Sequence, residues 1–123
     1  MTIAVTVLVQ GIADTRLPMA PGTIASAGAE IRGGPPTILG AFDEAALEVG
    51  LKLRDADPAI RLGVVVVDTA GNEALARAVA SHRPDSMLHV DARALARWDA
   101  VATASLCAWA IARSDGTDLV LVG

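Results

Sequence analysis

One cysteine, no tyrosine, one phenylalanine and two tryptophans are found in 123 residues. With Cys107 alone, no intramolecular disulfide can form, and a reducing, cytoplasmic compartment is the expectation. Basic residues are also in short supply: ten Lys and Arg stand against fourteen Asp and Glu, a net charge of -4. A chain without a basic excess offers no electrostatic footprint for nucleic acid or an anionic membrane. Long apolar runs are missing too. Ile3–Val9 and Ala100–Ala112 are both too short to span a bilayer, and nothing at the N-terminus resembles a signal peptide, so membrane insertion is not expected. His82, His89 and Cys107 have none of the short spacings of a zinc site. There is no Gly-x-Ser-x-Gly elbow, no His-Glu-x-x-His and no phosphate-binding Gly-Lys-Ser/Thr, and neither Gly11 nor Gly33-Gly34 belongs to a dinucleotide fingerprint. The chain carries no recognisable catalytic constellation.

Alanine and valine dominate what is there, as expected where helices pack closely on a parallel sheet. The length suits a single domain over residues 1–123, with about two-thirds of the unfolded surface removed from water. Ile3–Val9 is almost continuously apolar and predicts a strand covered on both faces; Leu62–Asp68, Ser86–Val90 and Asp118–Val122 predict three more. Helices are predicted from Asp43, from Asn72 as a cap, and over Trp98–Ala112. Residues 11–36 are rich in Gly and Pro and read either as a small hairpin, with Thr23–Ala25 and Glu30–Arg32 as its strands, or as a flexible excursion.

Four strands alternating with three crossovers imply an α/β, Rossmann-like, doubly wound and mostly parallel sheet with helices on both faces. In that arrangement the first strand pairs with the second on one side and the fourth on the other. The ligand crevice then opens where the order reverses, near Gln10 and Gly123. The domain reads as truncated after its fourth strand, because such a unit usually covers its last central strand with another helix.

The first predicted helix is the most legible element. Glu44, Glu48, Lys52 and Asp55 form a solvated stripe, and Glu48 stands four residues before Lys52. Ala46, Val49, Gly50 and Leu53 are expected on the sheet side. Asp43 and Glu44 sit where the helix dipole favours acids, so Asp43 reads as a cap or as a ribose contact. Asp68, at a strand's carboxyl end, reads equally as a ribose-binding acid or a turn former. Ser105 and Cys107 are expected to pack as small residues, and Trp98 and Trp109 to lie in the core or a subunit interface.

The run Phe42-Asp43-Glu44-Ala45-Ala46-Leu47-Glu48-Val49-Gly50-Leu51-Lys52-Leu53 resembles the signature of the beta subunit of electron transfer flavoproteins, and Asp118-Leu119-Val120-Leu121-Val122-Gly123 is similar to that family's Asp-Leu-Val-Leu-x-Gly strand. The resemblance continues in order through Val5–Asp14, Leu62–Asp68 and Asn72–Asp85. It implies a fold like that of adenine-nucleotide hydrolases, AMP or FAD held structurally, and docking on an FAD-carrying alpha subunit that receives electrons from acyl-CoA-type or other dehydrogenases. Carried over by position, the nucleotide contacts are Leu8, Gly40, Ala41, Phe42, Asp43, Asp68 and Gly123, mostly through backbone. Gln10 stands where the family usually has Lys, Gly40-Ala41 replaces Asn-Pro, and His82-Arg83-Pro84-Asp85 replaces Met-Gly-Ala-Asp. The family's phosphate-wrapping loop, which begins at the last strand, has no counterpart up to Gly123. A free-standing adenine-nucleotide-binding domain and a degenerate protein-interaction module are the other readings, and an open sheet edge makes self-association an expectation in all three.

Overall fold

The computed structural model describes residues 1–16, 37–69, 73–95, 99–114 and 116–123. In chain order its elements are β1 (Ile3–Val9), β2 (Ile12–Ala13), β3 (Thr37–Ile38), α1 (Ala41–Ala56), β4 (Ile60–Asp68), α2 (Ala74–Ala80), β5 (Ser86–Asp91), α3 (Ala100–Arg113) and β6 (Leu119–Val122). β5, β4, β1 and β6 form one sheet in that order, and every pair is parallel. The strand with the most continuous apolar run is therefore central, and the order reverses beside it, as the alternating pattern predicts.

The sheet is covered on both faces because its middle strands are apolar on both. Val5, Val7, Val9, Leu62, Val64 and Val66 join Leu47 of α1 and Leu75 and Val79 of α2 in one core layer. Leu8, Val65, Val67 and Val90 join Cys107 and Ala110 of α3 in the other. Period-two alternation divides each central strand between the layers.

Two aspartates fix the register at the amino ends of the outer strands. Asp118 donates its backbone N–H to the Ala4 carbonyl at 2.8 Å, and its Oδ2 accepts the Ala4 N–H at 2.8 Å. Asp85 repeats the device on Leu62, again with 2.8 Å for each bond. Each acid thus bonds both the N–H and the carbonyl of one residue in the neighbouring strand and starts the parallel ladder there.

Helix α1 begins at Ala41, with Gly40 as its N-cap, two residues before the predicted start. Asp43 is therefore inside the first turn and does not cap it. The helix is also rotated from the predicted face: Asp43, Ala46, Leu47 and Gly50 are buried, whereas Val49 is exposed. Burial of Leu47 removes more apolar surface than burial of Val49, and Gly50 lets the helix sit low on the sheet. The predicted Glu48–Lys52 pair forms at 2.7 Å on the solvent side.

β4 begins two residues before its predicted start, and α3 begins two residues after. Asp99 caps α3 by accepting the Ala102 N–H at 3.0 Å. α2 has Glu73 at its N-cap in a left-handed conformation; Asn72, the predicted cap, and Trp98 lie outside the described residues. The expected hairpin pieces Thr23–Ala25 and Glu30–Arg32 also lie outside them. At the two ends of that excursion, β2 and β3 pair antiparallel, Ile12 opposite Ile38 and Ala13 opposite Thr37.

Candidate functional site

The carboxyl end of β1 runs directly into Gln10 and Gly11, and Gly11 turns the chain with a φ of +73°. A Cβ at Gly11 would collide with Thr37 Cγ2 and stand 2.8 Å from Leu75 Cδ2, so the turn requires glycine on grounds of both space and conformation. Its N–H donates to Asp43 Oδ2 at 2.8 Å, a buried bond that ties the first turn of α1 to the end of β1. Asp43 therefore does not cap the helix, and its side chain holds two walls of a crevice together.

That crevice is a cavity of about 320 Å³ lined by Gln10, Gly11, Ile12, Gly40, Ala41, Phe42, Asp43 and Gly123. It lies where the sheet order reverses, between the ends of β1 and β6 and beneath the start of α1. No described side chain caps α1, and the first turn of the helix, from Ala41 to Asp43, belongs to this wall. Phe42 is 79% exposed, an apolar ring at the edge of the opening.

Five of the seven residues singled out from the sequence line this one cavity: Gly40, Ala41, Phe42, Asp43 and Gly123. Leu8 and Asp68 do not. Leu8 is buried against α3, with its backbone paired between Val65 and Val122. Asp68 is fully buried at the end of β4, where its Oδ2 lies 3.1 Å from His89 Nε2 on β5. A buried carboxylate is costly without such a partner, so His89, read from sequence only as a strand residue, has an evident structural task. Gly11 and Ile12 also line the cavity, and the sequence signals them only by their position immediately after the first strand.

Gln10 borders a second cavity, of about 40 Å³, on the α3 side of the sheet, with Val67, Thr69, Leu95 and Thr103. Gln10 Nε2 donates to Cys107 Sγ at 3.2 Å. The hydroxyls of Thr69 and Thr103 are buried there without a hydrogen-bond partner among the described residues. The side chain standing where the resemblance expects lysine thus turns toward the core layer of α3 and brings no positive charge to the larger crevice. At the end of β5, Asp91 forms a bidentate surface pair with Arg93, with 2.6 Å between Oδ2 and Nη2. Hydrogen bonds from the Arg93 guanidinium lower the Asp91 pKa to about 2.

No group of acidic, histidine or cysteine side chains suited to a metal ion occurs among the described residues, and no described helix is long and apolar enough to cross a membrane. A family model, the electron transfer flavoprotein domain, matches residues 31–123. The match is to the domain and does not separate a beta from an alpha subunit. Comparison with curated proteins gives no match.

Proposed function

Because the chain belongs to the electron transfer flavoprotein domain family, we propose that it acts as a beta-type subunit, holding AMP in the β1–β6 crevice and docking on an alpha subunit that carries FAD. Domains of this family work with partner subunits and dehydrogenases in electron transfer. In the proposed role this chain moves no electron itself. It supplies a nucleotide-stiffened surface on which the flavin-bearing subunit is positioned to receive electrons from acyl-CoA-type or other dehydrogenases.

The crevice is the observation that carries this reading. A volume of about 320 Å³ lies at the low end of small-molecule pockets and has room for a nucleotide such as AMP. Its walls are mostly backbone and small side chains, which suit a ligand recognised through main-chain N–H and carbonyl groups. Gly40 and Ala41 leave the start of α1 open, and because Asp43 and Glu44 place two carboxylates in that first turn, this end suits the adenosine side of AMP and not its phosphate. Phe42 offers a face for an adenine ring. Leu8, buried against α3, and Asp68, buried at the end of β4, lie outside the lining of the crevice.

Native purification followed by mass spectrometry of the denatured supernatant tests the reading, together with the visible spectrum of whatever protein co-purifies. AMP in the supernatant and a yellow partner with flavin absorbance are expected. AMP without a flavin partner favours the free-standing nucleotide-binding domain, and a protein with neither contradicts both readings.

A further inference from the structure

Two hydroxyls on the α3 side of the sheet are left over by the packing. Thr69 directly follows β4, and Thr103 stands at the end of the first turn of α3. Each buries its Oγ1 without a hydrogen-bond partner among the described residues. Both line the same cavity of about 40 Å³, with Gln10, Val67 and Leu95. A buried hydroxyl left unpaired loses the bonds it made to water in the unfolded chain, so two of them on one small cavity point to a shared partner.

The lining decides what that partner is. Among the described residues it holds no Lys, Arg, His, Asp or Glu, so an ion of either sign would find no counter-charge there. An apolar occupant would leave both hydroxyls unpaired. Water donates and accepts, as does each hydroxyl, and it needs roughly 10–15 Å³. The cavity has room for about two such molecules.

We infer that this cavity is an internal water site, in which an ordered water bridges Thr69 Oγ1 to Thr103 Oγ1 and joins the carboxyl end of β4 to α3. The joint lies where α3 has little bulk to offer, because its buried residues are Cys107 and Ala110. Thr103 is one turn from Cys107, whose Sγ accepts the Gln10 Nε2–H at 3.2 Å. Water and sulfur thus make neighbouring polar links from α3 to the ends of β4 and β1. Gln10 also lines the larger crevice, so the second of these links ties a residue of the crevice wall to α3, whatever that crevice binds.

A crystal structure of the full chain, joined to a double-mutant cycle, tests the inference. Density for a water within about 2.7–3.2 Å of both hydroxyl oxygens is expected. Thr69→Val and Thr103→Val, measured by urea denaturation, should each raise the unfolding constant about fivefold, since each leaves the other hydroxyl short of a partner. The double variant should be no less stable than either single one, because the site then becomes apolar throughout. Both hydroxyls bonded directly to protein atoms, with no water density between them, would overturn the site. Independent effects that multiply in the double variant would overturn the bridge.

Discussion

Gly123 at the end of β6 lies against the backbone of Phe42 at the start of α1. A Cβ at position 123 would overlap the Phe42 carbonyl and stand 2.7 Å from the Asp43 nitrogen. One backbone thus packs directly on another where the β6 end meets the start of α1, both of which line the crevice. With Gly11 bonded to Asp43 on the other side, the cavity is shaped before any ligand arrives.

Gly123→Ala is accordingly expected to lower stability by about 1–3 kcal/mol, because the obstructing atoms are backbone and cannot rotate away. The effect should be local first. Amide exchange at Leu121 and Val122 should accelerate more than at Val65 and Val66, as β6 is displaced from β1. Uniform acceleration across the sheet would show that this contact does not set the wall.

Gly50→Ala sets two effects against each other. Alanine in mid-helix is worth about 1 kcal/mol over glycine. Here its Cβ would stand 2.8 Å from Leu62 Cδ1 and 2.9 Å from Val7 Cγ2, and both side chains are fully buried. Overpacking of that kind costs about 1–3 kcal/mol, so a net loss of about 1 kcal/mol in urea denaturation is expected. A stabilised variant would mean that α1 rides higher on the sheet than described.

Much of the fold was legible because it rests on local pattern. Continuous β-branched runs mark the central strands, and the Glu48–Lys52 spacing marks a solvated helix face. Legibility fails where tertiary contacts decide. Asp43 looks like a cap in sequence, yet a glycine two elements away supplies its hydrogen bond. Val49 and Leu47 are both apolar neighbours of a helical stripe, and only the sheet beneath selects between them. Asp68 stands at a strand end that often binds a ribose, and the residue that claims it, His89, lies one strand over. In the crevice, position after a strand and before a helix was readable, whereas the side-chain directions were not.

Asp118 and Asp85 follow from the same lesson. Both belong to runs compared above with family motifs, but they sit at the amino ends of strands, far from the crevice. Asp118→Ala should cost about 1 kcal/mol by removing the bond to the Ala4 N–H. It should also speed exchange at Ala4 while leaving ligand affinity within twofold, roughly a few tenths of a kcal/mol. A large loss of affinity with stability intact would assign it to the site.

Asp91 supplies a pH prediction. Its folded pKa of about 2 lies below the ordinary 3.8, chiefly because Arg93 hydrogen-bonds the carboxylate. The pair's stabilisation is fully present above the ordinary pKa and is lost as pH falls through the folded value. A carboxyl-carbon NMR titration should find the Asp91 midpoint near 2, and Arg93→Ala should return it toward the ordinary carboxylate range. A wild-type midpoint already in that range would contradict the pair.

The central claim is that AMP occupies the β1–β6 crevice, and titration of the isotope-labelled full chain with AMP, followed by amide chemical shifts, tests it most directly. Saturable shifts are predicted at Gln10, Gly11, Ala41, Phe42, Asp43 and Gly123, with Arg61 and Met87 unmoved. No shift at millimolar AMP, or shifts confined to residues outside that set, would contradict the account.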